Sequence, residues 1–259
     1  MPHNVSARVA VVNVATVWLL CIAIVTGTNM QLVAQQNLFN IPSGDLTRAN
    51  TFFYQHQINL YSVSLESKGH FVYGLGSDWE IGANIVGKGV YFTPTWRLAH
   101  NDDPQRGALY PYLMLTTQKR FTISSMFDIN VGMQGGYNLS DRLEYKRFAF
   151  FNYALAVLHF DNKSSRVVVG GYHSNDEFLG EGVDAGVMVG YELKVLPRFY
   201  LMGDWISGDN DASVAVIGAM YNAGRRVQIC AGWMIPNPDA PKPMGLVLEL
   251  NVLGWDLDL

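Results

Sequence analysis

The feature that most constrains this chain is a period-two alternation that recurs along it. Apolar residues hold one phase, and small, amide or isolated acidic residues hold the other. Trp79, Ile81, Ala83 and Ile85 alternate with Glu80, Gly82 and Asn84, and Phe127, Ile129, Val131 and Met133 with Asp128, Asn130, Gly132 and Gln134. Val183 to Leu193 alternates with Asp184, Gly186, Met188, Gly190 and Glu192. Val227 to Trp233 alternates with Gln228, Cys230 and Gly232, and Leu246 to Val252 with Val247, Glu249 and Asn251. Successive side chains of a strand point to opposite faces, so each segment has one apolar and one mixed face. No window after residue 36 carries a convincing helical period.

The pattern predicts twelve strands, at about 52–66, 69–76, 79–87, 109–118, 121–138, 146–160, 165–173, 183–195, 198–206, 212–222, 225–234 and 245–253. Several reach the roughly 9–11 residues that a tilted strand needs to cross a bilayer. The segment 146–160 is apolar on both faces, which leaves its phase open, and Pro94 places 90–97 in a loop. Short connections, such as Ser77-Asp78, Lys119-Arg120 and Ala223-Gly224, follow the even-numbered strands. Longer polar ones, such as 88–108 and 174–182, follow most odd-numbered strands, with Ser67-Lys68 a short exception.

A soluble sandwich also alternates, but its wet face is rich in Lys, Glu and Thr. Here that face holds Gly, Asn and Gln, and only 15% of the chain is charged, against roughly 25% in soluble domains. The expected fold is therefore all-β: a closed antiparallel transmembrane barrel of about twelve strands, apolar outside, with no edge left for lipid to face. The net charge of −4 gives no reason to expect a nucleic-acid partner. Two cysteines, Cys21 and Cys230, exclude a disulfide scaffold and a Cys-rich zinc site.

Residues 9–25 (VAVVNVATVWLLCIAIV) form the one long apolar run, with Arg8 before it and a polar stretch after. This order is that of a secretory signal peptide cut after Ala34, with Gly27 a second option and an uncleaved anchor the alternative. The organisation expected is a signal peptide over 1–34, a periplasmic lead-in over 35–51 and a barrel over 52–259.

At the C-terminus, Gly254, Leu257 and Leu259 resemble the closing-strand signal of Gram-negative outer-membrane β-barrel proteins, including porin-like and transporter-like members. Residues 52–87 resemble the opening strands of transporter-like barrels. This chain ends in Leu where that family usually ends in Phe, and Val252 stands where it usually has a polar residue. The resemblance implies a cell outer-membrane location, contact with outer-membrane lipid and insertion by the barrel-assembly machinery.

No phosphate-binding loop, dinucleotide fingerprint, zincin helix or nucleophile elbow is present, so no catalytic residues, metal site or cofactor are expected. Acidic loops at 100–103, 176–177 and 209–211 read as solvated surface. Phase selects Glu80, Asn84, Asp128, Asn130, Gln134, Asp184, Glu192, Asp204, Gln228 and Glu249 as pore-lining candidates, which gives an acidic lumen and a mild preference for cations. The function expected is a passive pore or transporter-like barrel for small solutes. The alternatives are a structural or adhesive surface barrel and a lipid-modifying enzyme. For the last, His173 and Ser174 are adjacent in a strand and so point to opposite faces.

Overall fold

A computed structural model describes residues 37–101, 103, 108–139, 147–161 and 163–257. The expected signal peptide lies outside them. The strands are β1 (Phe52–Leu60), β2 (Ser64–Gly76), β3 (Trp79–Tyr91), β4 (Arg97–Ala99), β5 (Tyr112–Thr122), β6 (Phe127–Asn138) and β7 (Phe148–Phe160). They continue with β8 (Ser165–Ser174), β9 (Ala185–Leu196), β10 (Phe199–Ile206), β11 (Val214–Gly224), β12 (Val227–Pro236) and β13 (Gly245–Leu253). Each pairs antiparallel with its neighbours. β1 pairs with both β2 and β13, and β2 with β3, so among the described residues twelve strands close a ring. The three-residue β4 rides on the far end of β3.

The wall is apolar on its outside. In β13, Leu246, Leu248, Leu250 and Val252 are exposed while Val247, Glu249 and Asn251 are buried. Leu115 is 71% exposed and Asn130 0%. Water would penalise this inversion by about 25 cal/mol per Å² of apolar surface, and hydrocarbon removes the penalty. Aromatic side chains mark both rims. Phe52, Trp79, Phe121 and Tyr221 stand at the end carrying both chain ends of the barrel, and Tyr137, Phe148, Trp205 and Trp233 at the other. The first end has tight turns: Ser77 and Asp78 both adopt positive φ (51° and 59°), as a two-residue hairpin requires. The opposite end carries the longer connections and a four-residue helical turn, Asp176–Leu179.

Three boundaries differ from the sequence expectation. The first hairpin turns at 61–63 rather than at Ser67-Lys68, because Glu66, Lys68 and His70 line an internal polar cavity and keep the strand going. Lys119-Arg120 is not a turn either, since β5 runs on to Thr122. Lys119 lies over the Trp79 ring at 5.4 Å, and Arg120 bonds Asp78 at 2.6 Å, so both charges are served at the rim. β3 extends to Tyr91 and returns as β4, with Pro94 in the connection. At the other terminus Trp255 and Leu257 leave the ladder and tuck inward against Phe53, Val72 and Leu253.

The described part of the lead-in, residues 37–51, is the largest departure. Instead of lying outside the barrel, Leu38, Phe39, Ile41, Ser43, Asp45 and Leu46 are buried within it. Leu38, Phe39 and Ile41 pack with Phe151, Tyr153, Leu155, Val157, Val168 and Met202 from the inner wall. This explains the doubly apolar β7: one face meets lipid and the other meets the inserted segment.

Candidate functional site

The site is the barrel interior around this segment. Glycines on both wall and segment stand where the two press close. A Cβ on Gly190 would collide with Leu38 and Ile41, one on Gly232 would come within 2.9 Å of Phe39, and one on Gly44 would strike Val157. The segment is stiffened by its own turn, in which the Leu38 amide donates to the Ile41 carbonyl at 2.9 Å.

Two polar anchors hold it. The first is Asp204 on β10, whose Oδ2 accepts the backbone N–H of Phe39 (2.9 Å), Asn40 (2.5 Å) and Ile41 (3.1 Å). One carboxylate oxygen thus serves three consecutive amides that have no ladder to join. The second is Arg166 on β8, 1% exposed. It forms a two-pronged bond with Glu192 on β9, at 2.9 Å to each oxygen, and an ion pair with Asp45 of the segment. A buried guanidinium needs more than one counter-charge to offset lost hydration, and here it has two. Glu80 accepts the Thr47 amide at 2.8 Å, and Gln118 donates to the Asp45 carbonyl at 3.3 Å.

Nine of the ten lumen candidates belong to the inner wall. Glu80, Asp204 and Glu192 are engaged as just described. Asn130 lies beside Gly44, Asp128 bonds His159 at 2.8 Å, Asn84 donates to Gln134 at 2.8 Å, Gln228 donates to Asn222 at 3.1 Å, and Glu249 accepts from Gln55 at 3.1 Å. Asp184 is the exception: it precedes β9 in an exposed loop, where its carbonyl accepts the Ser174 amide. Burial is the leading cause that raises its carboxyl above the usual range, with neighbouring Asp176 adding to it.

Phase alone missed the cations. Arg166, His159, Lys68 and His70 all face inward, set among the buried acids Glu80, Asp128, Glu192, Asp204 and Glu249, which still outnumber the Arg and Lys side chains. The signal was present in the alternation of Glu66, Lys68 and His70, hidden because that stretch reads as a turn. His173 and Ser174 separate as expected: the His173 ring faces Phe150 at 5.5 Å, while the buried Ser174 hydroxyl donates to the Phe150 carbonyl.

Above the inserted segment, toward the long loops, lies a cavity of about 510 Å³. Asn37, Phe39 and Asn40 contribute to its floor, Tyr112, Phe151 and Phe178 give it an aromatic side, and Glu66, Lys68 and His70 a charged one. The loop residue Lys242 reaches in and pairs with Glu66 at 3.7 Å, and Tyr61 donates to the same carboxylate at 3.2 Å. Among the described residues Lys68 forms no hydrogen bond or ion pair, and His70 Nε2 is buried without a partner. The chamber therefore offers an apolar wall, a lysine set among the carboxylates of Glu66, Glu249 and Asp204, and one imidazole nitrogen without a partner.

No family model and no curated protein matches this chain. Solved structures with a similar fold are outer-membrane β-barrel proteins. An active-site mutant of outer membrane phospholipase A from Escherichia coli aligns at 11% identity over 82% of this chain and 92% of that one, with a TM-score of 0.43. An outer-membrane channel from Pseudomonas putida F1 aligns at 14% identity over 86% of this chain and all of that one (100%), with a TM-score of 0.46.

Proposed function

We propose that this protein is an outer-membrane barrel that admits small solutes through its long-loop end and is closed below by its own N-terminal segment. The chain ends of the barrel then face the periplasm and the long loops face outward. One observation carries the reading: a chamber of about 510 Å³, roofed by loops, whose floor is a loop of backbone clipped to the wall by a few polar anchors. A permanently solid interior would be filled by wall side chains. This one is filled by a separate stretch of chain that can leave without breaking the barrel ladder. Passage requires the 37–47 stretch to shift, and the preference by charge is for cations, because Glu80, Asp128, Glu192, Asp204 and Glu249 outnumber Arg166 and Lys68.

The test is conductance in planar bilayers. The wild-type protein is expected to show rare steps, and Asp204→Ala frequent ones. Folded protein that gives no steps in either form rejects the pore. The tight seating of Leu38 and Phe39 favours one second reading, a surface barrel that does not conduct, and that same negative result would select it.

A further inference from the structure

The outside of the barrel should be uniformly apolar between its two aromatic rims, and over β1 and β2 it is not. Tyr54 and His56 on β1 and Ser67 on β2 all lie on the lipid-facing phase, opposite to inward Gln55, Gln57 and Lys68. They form one chain of contacts. Ser67 Oγ lies 3.2 Å from His56 Nε2, and His56 Nδ1 lies 3.0 Å from the Tyr54 hydroxyl. Nucleophile, base and a third group that fixes the ring are in the order that activates a serine. Gly69 is the register partner of His56. A Cβ there would come into contact with the ring, 3.9 Å from Nδ1, so the glycine leaves that flank of His56 uncovered.

Two further features fit the same site. Ser67 is paired across the sheet with Lys88, which is exposed. The ladder slips beside Ser67, passing from Ser67–Lys88 to Gly69–Ile85, and bulges of this kind re-aim side chains next to active sites. Height decides the substrate. Lys88 stands nine residues beyond the rim residue Trp79 on β3. At about 3.3 Å per residue and a tilt near 40°, that is roughly 23 Å up an apolar band about 25 Å tall. Ser67 therefore lies just under the loop-side boundary, where the ester carbonyls of a lipid reside, and Lys88 lies at the level of its phosphate.

We propose that this outer face is a hydrolase site for acyl esters of phosphate-bearing membrane lipids, with Ser67 as nucleophile and His56 as base. Ser67 Oγ attacks the acyl carbonyl carbon as His56 Nε2 takes its proton. The bond from that carbon to the alcohol oxygen breaks, and His56 returns the proton to the departing alcohol. Water, giving a proton to the same nitrogen, then attacks the acyl-Ser67 ester. A fatty acid leaves and the Ser67 hydroxyl is restored. Tyr54 is a positioning residue that orients the imidazole, and Lys88 holds the phosphate. The site is on the outside of the wall and does not depend on the pore reading.

The experiment uses the full chain, folded as judged by heat-modifiable migration, with micelles of a diacyl phosphatidylglycerol and, separately, a neutral p-nitrophenyl acyl ester. A fluorophosphonate is expected to add to Ser67, seen by peptide mass. Fatty acid release is expected to fall at least about 100-fold in Ser67→Ala. Tyr54→Phe is expected to lower kcat at least about tenfold with KM unchanged. Lys88→Ala is expected to raise KM for the phosphatidylglycerol and not for the neutral ester. Folded protein that releases no fatty acid and takes no label at Ser67, or turnover that survives Ser67→Ala, overturns the proposal. Neither result bears on conductance, which is measured on the same preparation.

Discussion

Replacing Asp204 should release the inserted segment while leaving the barrel intact. In the seated state its carboxylate takes the amides of Phe39, Asn40 and Ile41, at 2.9, 2.5 and 3.1 Å. Asp204→Ala leaves all three donors without that acceptor, in a place where Phe39 and Ile41 are fully buried. Each buried amide left unpaired costs about 1–3 kcal/mol. When the segment is out, water serves the same amides and the substitution costs nothing. Taking the lowest value for each, the balance between seated and released moves by about 3 kcal/mol, or roughly a hundredfold. Asp204→Asn keeps one oxygen but loses the charge, so it should fall between the two. The assay is the reaction of a buried Ser43→Cys with a bulky maleimide, in a protein whose buried Cys230 has been changed to Ala. Ser43 is 0% exposed when the segment is seated, so labelling reports the released population. The rate should rise in the order wild type, Asp204→Asn, Asp204→Ala, with about a hundredfold span. Equal rates across the three, in protein with normal heat-modifiable migration, would refute the idea that Asp204 holds the segment.

Arg166→Met strands Asp45 and Glu192 as unpaired buried charges. It should destabilise the folded form by about 3–5 kcal/mol, read as a lower temperature for loss of the folded gel band, with most of the loss recovered when Asp45→Asn and Glu192→Gln are added. Gly232→Val puts atoms where a Cβ already meets Phe39 Cζ at 2.9 Å and Val216 Cγ1 at 2.8 Å. Overpacking of about 1–3 kcal/mol should speed labelling at Ser43→Cys without lowering the barrel's unfolding temperature. Burial pushes the Tyr61 hydroxyl up to about 12 from an ordinary value of 10.0, so its folded form favours the proton. The stability this supplies to the chamber roof is complete below about pH 10 and is lost as pH rises toward 12. Lys242 acts in the same direction: burial works against its charge, but the neighbouring Glu66 carboxylate outweighs burial and raises it above the usual ammonium range. Protease cleavage in the 237–244 loop should therefore accelerate between pH 10 and 12, and less steeply in Tyr61→Phe.

The wall was legible because its chemistry repeats. Every strand crossing the same apolar layer must show lipid one phase and the interior the other, so five clear alternations sufficed to set the class, and twelve strands followed with turns misplaced by a few residues. The filling was not legible, because it is written in single contacts. Leu38, Phe39 and Ile41 make a short apolar cluster that any lead-in could carry, and nothing local says that Gly190 and Gly232, far along the chain, leave room for it. The glycines of the mixed face had two readings, crowding by neighbouring strands or room for an insert, and sequence could not separate them. The same limit hid Arg166. Of its counter-charges, Glu192 is its register partner on the neighbouring strand, while Asp45, far earlier in the chain, reaches it only because the segment folds into the barrel.

The Ser67–His56–Tyr54 contact escaped for a related reason. The eye searching for a nucleophile and a base takes neighbours such as His173 and Ser174, which a strand sends to opposite faces. The hairpin instead brings together residues eleven apart on the same face. On a barrel whose register is set, cross-strand partners are the units in which chemistry is built, and a charge or hydroxyl on the outer phase is the anomaly that needs a cause. An imidazole facing hydrocarbon is costly unless it is bonded, and one bonded through both nitrogens to side chains on its own face satisfies that cost locally. Satisfaction alone accounts for the two bonds. It does not account for the glycine that keeps the ring uncovered, for the bulge beside the hydroxyl, or for a lysine at the height of the lipid phosphates. Those three lie together on one hairpin, and a substrate at the boundary gives all of them a common purpose.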